Sequence, residues 1–243
     1  MISVCLATYN GECYIEEQIH SILPQLAADD EIVVSDDMST DKTLQIIKNI
    51  GDDRIKIYVH KPIQDSTDDK LPDVFKLVQR IKRNFENALT HAQGDIIFFS
   101  DQDDCWYDNK VKEVINAFAD DVVCVIHDAR VVNAADEVLR ESFLNYYRPF
   151  RGRFSSLLRS PFMGCCMAFR REVLNTALPI PADPVEYDTW IGMKAFRVGK
   201  IKLLNKRLID YRRHGNNASP LTAKNANSLK IKIQRRYYLL KNL

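Results

Sequence analysis

Gly94-Asp95-Ile96-Ile97-Phe98-Phe99-Ser100-Asp101-Gln102-Asp103-Asp104-Cys105-Trp106 is the stretch whose reading decides the fold. A short apolar run ends abruptly in three carboxylates within four positions. A run of that length between polar boundaries predicts a strand buried on both faces of a sheet. The acids then fall at its carboxyl end, where open α/β sheets bind their ligands. Carboxylates this close repel one another, so a cation or a set of donors must hold them together. Oxygen donors favour a hard divalent ion, Mg²⁺ or Mn²⁺, which also binds phosphate. By itself an Asp-x-Asp more often marks a solvated acidic turn, because so short a motif recurs by chance.

The neighbouring sequence supplies the context. Residues 2–8 and 31–35 read as strands, and 54–60 alternates apolar and polar as a third. Between the first two, Ile15, Ile19, Ile22, Leu23 and Leu26 form a helical stripe whose last turn Pro24 distorts. Ser39-Thr40-Asp41 offers an N-cap for a helix through Ile50. Residues 61–72 are polar and aperiodic and read as a loop. A long helix follows, with Val74, Leu77, Val78, Ile81, Phe85, Ala88, Leu89 and Ala92 on one face. Beyond the acid-tipped strand come a helix over 108–119, a strand over 122–128 and a hairpin over 131–139. The rhythm then becomes irregular, with a strand over 163–170, a helix over 186–198, one or two strands over 201–211 and a helix over 228–240. Alternating strands and helices predict an α/β fold with a mostly parallel sheet flanked by helices. No internal repeat, low-complexity segment or linker divides the 243 residues, so one domain is expected.

Composition narrows the class. Hydrophobic residues make up 46% and charged residues 28%, as in a water-soluble globular protein. No stretch approaches the roughly 20 apolar residues that span a bilayer, and no charged-then-apolar leader opens the chain. The six cysteines show no Cys-x-x-Cys pair and no zinc spacing, which favours reduced thiols and a cytoplasmic location. The net charge of +1 conceals an asymmetry, since no acidic residue follows Asp210 while eight basic residues do. A negatively charged partner near the basic tail is the expectation. Nucleic acid is not favoured, because the basic residues gather at one end without an aromatic stacking platform.

Three of the first four strands end in polar clusters: Thr8-Tyr9-Asn10, Asp36-Asp37 and Asp101-Gln102-Asp103-Asp104. A parallel sheet brings all of these ends to one edge, so clusters far apart in sequence converge on one pocket. A nucleotide suits such a pocket. Neither Gly-x-Gly-x-x-Gly nor a Walker-type Gly-Lys-Ser/Thr is present, so metal and side chains handle the phosphates.

Ile2-Ser3-Val4-Cys5-Leu6-Ala7-Thr8-Tyr9-Asn10-Gly11, Val34-Ser35-Asp36-Asp37-Met38-Ser39-Thr40-Asp41 and Ser100-Asp101-Gln102-Asp103-Asp104-Cys105-Trp106 together resemble family-2 glycosyltransferases, nucleotide-sugar enzymes of the GT-A fold. The Ser-Asp-Gln-Asp-Asp-x-Trp form is similar to the rhamnosyltransferase-like branch of bacterial surface-polysaccharide synthesis, and the resemblance spans roughly residues 1–215. It implies a GT-A, Rossmann-like sheet with a nucleotide-sugar half over 1–120, an acceptor and catalytic half over 121–220 with a smaller sheet, and a C-terminal helix over 221–243.

The resemblance also implies site residues. Thr8, Tyr9 and Asp37 would contact base and ribose, joined by Asn10 and with Asp36 in support. Asp103 would ligate the metal, with Asp101 nearer the ribose, and His214 would complete the metal or diphosphate site. Arg212 or Arg213 would assist the diphosphate by charge-assisted hydrogen bonds. Asp188 would be the catalytic base for an inverting, metal-dependent transfer from a UDP- or dTDP-linked sugar to a saccharide or lipid-linked acceptor. Met38 stands where the family commonly has glycine, so the loop is expected to avoid left-handed backbone there. Residues 64–83 also lack the glycine often found before the pair corresponding to Asn84-Phe85.

Simpler readings compete at several positions: an N-cap for Asp188, loop capping for Asp37, core packing for Trp106 and a solvated helix face for Arg80, Lys82 and Arg83. The Leu229/Ile233/Tyr237/Leu240 stripe, with Lys230, Lys232, Arg235, Arg236 and Lys241 around it, reads either as a helix packed on the domain or as a peripheral contact with the cytoplasmic face of a membrane. At the level of function, a sugar-1-phosphate nucleotidyltransferase and a catalytically silent nucleotide-sugar-binding module are the alternatives. The first usually brings a glycine-rich basic loop after its first strand, which Tyr9-Asn10-Gly11-Glu12 is not. The retained acids weigh against the second.

Overall fold

Strands that bury both faces must lie in the middle of a sheet, and those of the acid-tipped pattern do. In the computed structural model, β1 (Ile2–Thr8), β2 (Glu31–Asp36) and β4 (Ile96–Asp101) are buried along almost their whole length, while the half-exposed β3 (Ile55–Val59) closes one edge. The model describes residues 1–61, 70–149, 152–215, 217 and 229–243. Most of the loop expected over 61–72 lies outside those residues.

The parallel half of the sheet runs β3-β2-β1-β4. Its register sets Thr8 beside Asp36 and Ala7 beside Asp101, so the carboxyl ends meet as the clusters require. The helices α1 (Ile15–Ile22), α2 (Thr43–Ile50) and α3 (Asp73–His91) make the crossovers. Burying Phe85, Ala88 and Leu89 of α3 joins it to the central core, each large apolar side chain contributing about 1.5–3 kcal/mol. As expected, Pro24 converts the end of α1 into a 3₁₀ turn, Leu23–Gln25. The polar residues of α3 matter as much as its apolar ones. Asn84 accepts from Ser35 Oγ at 2.6 Å and donates to the Thr8 carbonyl at 3.1 Å, tying the ends of β1 and β2 together.

The second half joins the same sheet through β8 (Met167–Arg170), which is antiparallel to both β4 and β6 (Val122–Asn133). Residues 200–213 form one long strand, β9 (Lys200–Arg213), parallel to β6, and β7 (Val138–Arg140) completes the expected hairpin. After the acids the chain folds back to pair the two-residue β5 (Cys105–Trp106) with β9, which delays and shortens the next helix, α4, to Lys110–Ile115. Two short helices follow, α5 (Phe143–Tyr147) and α6 (Leu174–Ala177), before α7 (Tyr187–Val198) and α8 (Leu229–Asn242). No helix of the described residues is long and apolar enough to cross a membrane.

Met38 overturns one expectation: its φ is +57°, in the left-handed region. The loop leaves no other course, because Asp36 accepts from both the backbone N–H and the hydroxyl of Ser39, and Asp37 is paired with Arg80. A side chain there costs roughly 1–2 kcal/mol. Part of that is offset by the greater freedom a glycine has when unfolded. Met38→Gly is therefore expected to raise stability by about 0.5–1 kcal/mol, read as a higher denaturation midpoint at unchanged slope.

Candidate active site

At the carboxyl edge of the parallel strands, the polar clusters divide into residues that build the pocket and residues that face it. Thr8 and Asp36 are builders: both are buried, and the Thr8 hydroxyl donates to Asp36 Oδ1 at 2.8 Å. The structure thus gives Thr8 no exposed surface for the base or ribose contact that was expected of it. Asn10 is a loop tie, its N–H donating to Ser39 Oγ at 2.9 Å and its Oδ1 accepting from Thr40 N–H at 2.8 Å. Gln102, unnoticed in the sequence, clamps the backbone of Tyr9 from both sides, accepting from its N–H at 2.8 Å and donating to its carbonyl at 3.0 Å. A Cβ on Gly11 would lie 2.4 Å from Gln102 Oε1, so that clamp requires glycine there.

Tyr9 and Arg80 form the lip, with Asp37 buried behind them. The Arg80 guanidinium lies 3.5 Å from the centroid of the Tyr9 ring and pairs with Asp37, so it is not the solvated residue of the simpler reading. Asp37 is buried and its Oδ1 has no hydrogen-bond partner among the described residues. Burial raises its carboxyl above the usual range, with the Arg80 hydrogen bond opposing. A buried acceptor left unpartnered beside an exposed aromatic ring suits a donor from a base or sugar.

The three acids of the Asp-x-Asp-Asp run differ in their partners. Asp103 reaches the pocket: His214 Nε2 lies 2.8 Å from its Oδ2, and Asn217 Nδ2 donates to the same oxygen at 2.9 Å. His214 is oriented by stacking on Tyr14, with centroids 4.9 Å apart. The chain beyond Arg213 thus returns to the first strands, although 216 and 218–219 of its motif fall outside the described residues. At Asp101 burial, followed by the charges of Asp103 and Asp188, pushes the carboxyl up to about 7. Asp104 is wholly buried, accepts from the Arg212 backbone N–H at 3.2 Å through Oδ1, and leaves Oδ2 without a partner among the described residues. Burial and the neighbouring acids raise its carboxyl well above the ordinary range, and its bond to the Arg212 backbone anchors β9.

Beneath these acids lies a buried lysine. Lys110 donates to the Cys165 carbonyl at 2.8 Å and sits 3.8 Å from the centroid of the Trp106 ring. Burial pulls its ammonium down to about 8, opposed by the neighbouring cysteines and by the charges of Asp104 and Asp101. Trp106 is accordingly a core residue. Removing the charge leaves buried acids uncompensated, so Lys110→Met is expected to lower stability by about 3 kcal/mol, measured by urea unfolding at neutral pH.

By residue type, Asp103 and Asp101 offer oxygen and His214 an imidazole nitrogen, donors that suit Mg²⁺ or Mn²⁺. Among the described residues the group whose donor atoms all lie within 4.8 Å of one another is instead Asp101, Asp104 and Cys165. Cys165 makes that group the poorer match, because a thiol is a soft ligand for a hard ion.

Asp188 occupies the first turn of α7, one of its oxygens accepting from the Thr189 N–H. Burial, reinforced by Glu186, pushes its carboxyl up to about 7, opposed by hydrogen bonds from Thr189 and the Gly164 backbone. Its charge also reaches Asp101, so residues 87 positions apart share one site. Arg212, expected at the diphosphate, instead directs its guanidinium to Glu17 and Asp136, each at 2.9 Å. Lys82 is also internal, donating to the carbonyls of Pro181 and Asp183 at 2.6 and 3.0 Å. A shallow hollow lined by Met1, Asp30, Arg54 and Gln93 lies at the amino ends of the strands, far from this chemistry.

A family model described as glycosyl transferase family 2 matches residues 3–65 and 66–178. An uncharacterized glycosyltransferase of Nostoc sp. is 31% identical over 227 residues, covering 89% of this chain and 66% of the relative. A dTDP-rhamnosyl transferase of Shigella flexneri is 30% identical over 177 residues, covering 70% of this chain and 55% of the relative. The chain thus spans just under two thirds of the first relative and about half of the second. Among solved structures, a mannosyltransferase from Pyrobaculum calidifontis in complex with GDP-Man and Mn²⁺ superposes with a TM-score of 0.66 at 19% identity, covering 99% of this chain and 70% of that one. This likeness supports the GT-A fold. With three strand-end clusters on one sheet edge, an acidic run at its centre and a family match over most of its length, the chain belongs to glycosyl transferase family 2.

Proposed function

We propose that the protein is an inverting, metal-dependent glycosyltransferase that moves a sugar, rhamnose foremost, from a UDP- or dTDP-linked donor to a saccharide or lipid-linked acceptor in polysaccharide synthesis. The observation that carries this reading is Asp188, a carboxyl poised at about 7 within electrostatic reach of Asp101. A general base works best with a pKa near the operating pH. The dTDP-rhamnosyl transferase relative supports the choice of sugar.

Tyr9, Arg80 and the unpartnered oxygen of Asp37 hold the base and ribose, while Asp101 takes the sugar-proximal ribose side. Asp103, Asp101 and His214 hold the divalent ion, which when bound neutralises charge on the departing diphosphate. Asp188 accepts the proton of the acceptor hydroxyl as its oxygen attacks the anomeric carbon. The bond to the diphosphate oxygen breaks on the opposite face, and the configuration inverts without a covalent enzyme intermediate. An acceptor carried on a lipid would place the reaction at the cytoplasmic face of a membrane.

The direct test is a thermal-shift screen of UDP, dTDP, GDP and their sugars with Mn²⁺ or Mg²⁺. Uridine or thymidine diphosphates are expected to stabilise the protein only with the ion present. Absence of a shift with every nucleotide and both ions would remove the nucleotide-sugar reading.

A further inference from the structure

The terminal helix α8 has two apolar faces, of which only one is used. Ile231, Tyr238 and Leu239 turn inward, Tyr238 packing edge-on against Phe75 with centroids 5.5 Å apart. Arg235 donates to Glu186 at 2.6 Å, and Lys241 and Asn242 both donate to Asp183 at 2.9 Å. The stripe visible in the sequence, Leu229, Ile233, Tyr237 and Leu240, is not this inward face. It lies about 180° around the helix from it, and each of its members is more than half exposed. Phe154 and Leu158, 80% and 76% exposed, adjoin it through a hydrogen bond at 3.4 Å from Arg236 to the Leu158 carbonyl.

Cations flank this stripe on both sides. At 100° per residue, Lys230 falls on one border and Lys232 and Arg236 on the other, while Lys241, beyond Lys230, is taken up by Asp183. No acidic residue follows Asp210, so the helix itself carries only positive charge. A second copy docking face to face would set these cations against one another, which disfavours a two-fold contact. A convex apolar ridge bordered by cations complements a deformable surface that is apolar within and anionic at its boundary.

We propose that this ridge, formed by Ile233, Tyr237, Leu240, Phe154 and Leu158, docks the protein on an anionic lipid bilayer. Docking orients the site as well, because the inward face of α8 holds Asp183 and Glu186, the segment that leads into Asp188. The inference deepens the proposed function, resting on its lipid-linked acceptor, which would approach from the plane that α8 touches.

Co-sedimentation of the full chain with phosphatidylcholine vesicles, with and without phosphatidylglycerol, tests the docking without any sugar. At least tenfold stronger partitioning to the anionic vesicles is expected. Ile233→Ser/Tyr237→Ser/Leu240→Ser, and separately Phe154→Ser/Leu158→Ser, should reduce it to the level of the neutral vesicles. These side chains are exposed, so the circular dichroism and the nucleotide-induced thermal shift should stay those of the parent. Equal partitioning of parent and variants, or no anionic preference, would overturn the proposal. A concentration-dependent dimer abolished by the same substitutions would assign the ridge to a second copy instead. Vesicle binding without any nucleotide response would instead leave the docking standing and sink the glycosyltransferase reading.

Discussion

Asp188→Asn is expected to transfer sugar about 10³-fold more slowly than the parent while binding the nucleotide donor unchanged, the loss falling within the roughly 10²–10⁴-fold range of general-base catalysis. The amide keeps the shape of the carboxyl and the contact with the Thr189 N–H through its oxygen, so the start of α7 should hold. It cannot take a proton. The pH dependence separates this role from a capping role. Because burial raises the Asp188 carboxyl to about 7, the parent base is protonated below that value. Its rate should then rise about tenfold per pH unit on the acid side and level off above about 7. The residual rate of the variant should lose that limb. Turnover within a few-fold of the parent would remove Asp188 from the mechanism, whatever the donor affinity.

Asp103→Ala is expected to abolish the ion-dependent part of nucleotide binding and, with it, detectable transfer. Asp103 is the acid that meets both His214 and Asn217, so its loss removes the carboxylate that gathers them and spares the buried anchor Asp104. Stability should move the other way. Asp101 has a folded pKa of about 7 against an ordinary carboxylate value near 4, partly because of Asp103. That shift costs nothing where the carboxyl is protonated in both states. The penalty grows as pH rises from about 4 to 7 and is complete above that. Removing Asp103 relieves part of it, so the metal-free variant should melt no lower than the metal-free parent at pH 8 and respond to neither Mn²⁺ nor UDP. A parent-like thermal shift with Mn²⁺ and nucleotide would take the metal role away from Asp103.

The sheet was the most legible part of the chain because burial on both faces is written locally. Val4-Cys5-Leu6, Ile32-Val33-Val34 and Ile97-Phe98-Phe99 each declare a central strand without reference to any partner. The second half was less legible. The two residues of β5 are too few to set a period, and the long β9 exposes many of its positions because it runs near the sheet edge. The helix α8 is a subtler case. Its stripe of apolar residues is present as read, yet the helix packs by Ile231, Tyr238 and Leu239, a face that the charges around it obscured.

At the site, residue type and position at a strand end were enough to nominate Tyr9, Asp37, Asp101, Asp103 and Asp188. Partners were not accessible in that way. Asp101, Asp103 and Asp104 are the same residue within four positions, and only the surrounding elements give Asp103 to His214 and Asn217 and Asp104 to the backbone of Arg212. Arg212 and Arg213 likewise looked interchangeable until Glu17 and Asp136 engaged the first.

The sequence by itself determined the strand order of burial, the edge at which ligands gather and the family to which the chemistry belongs. Tertiary structure alone decided that Gln102 clamps Tyr9 across 93 positions, that His214 meets Asp103 across 111, and that Lys110 rests beneath the acids. The physical reason is the range of the forces involved. Burial periodicity acts within one element, whereas a hydrogen bond or a buried charge takes its partner from whatever the closed sheet brings within about 3 Å.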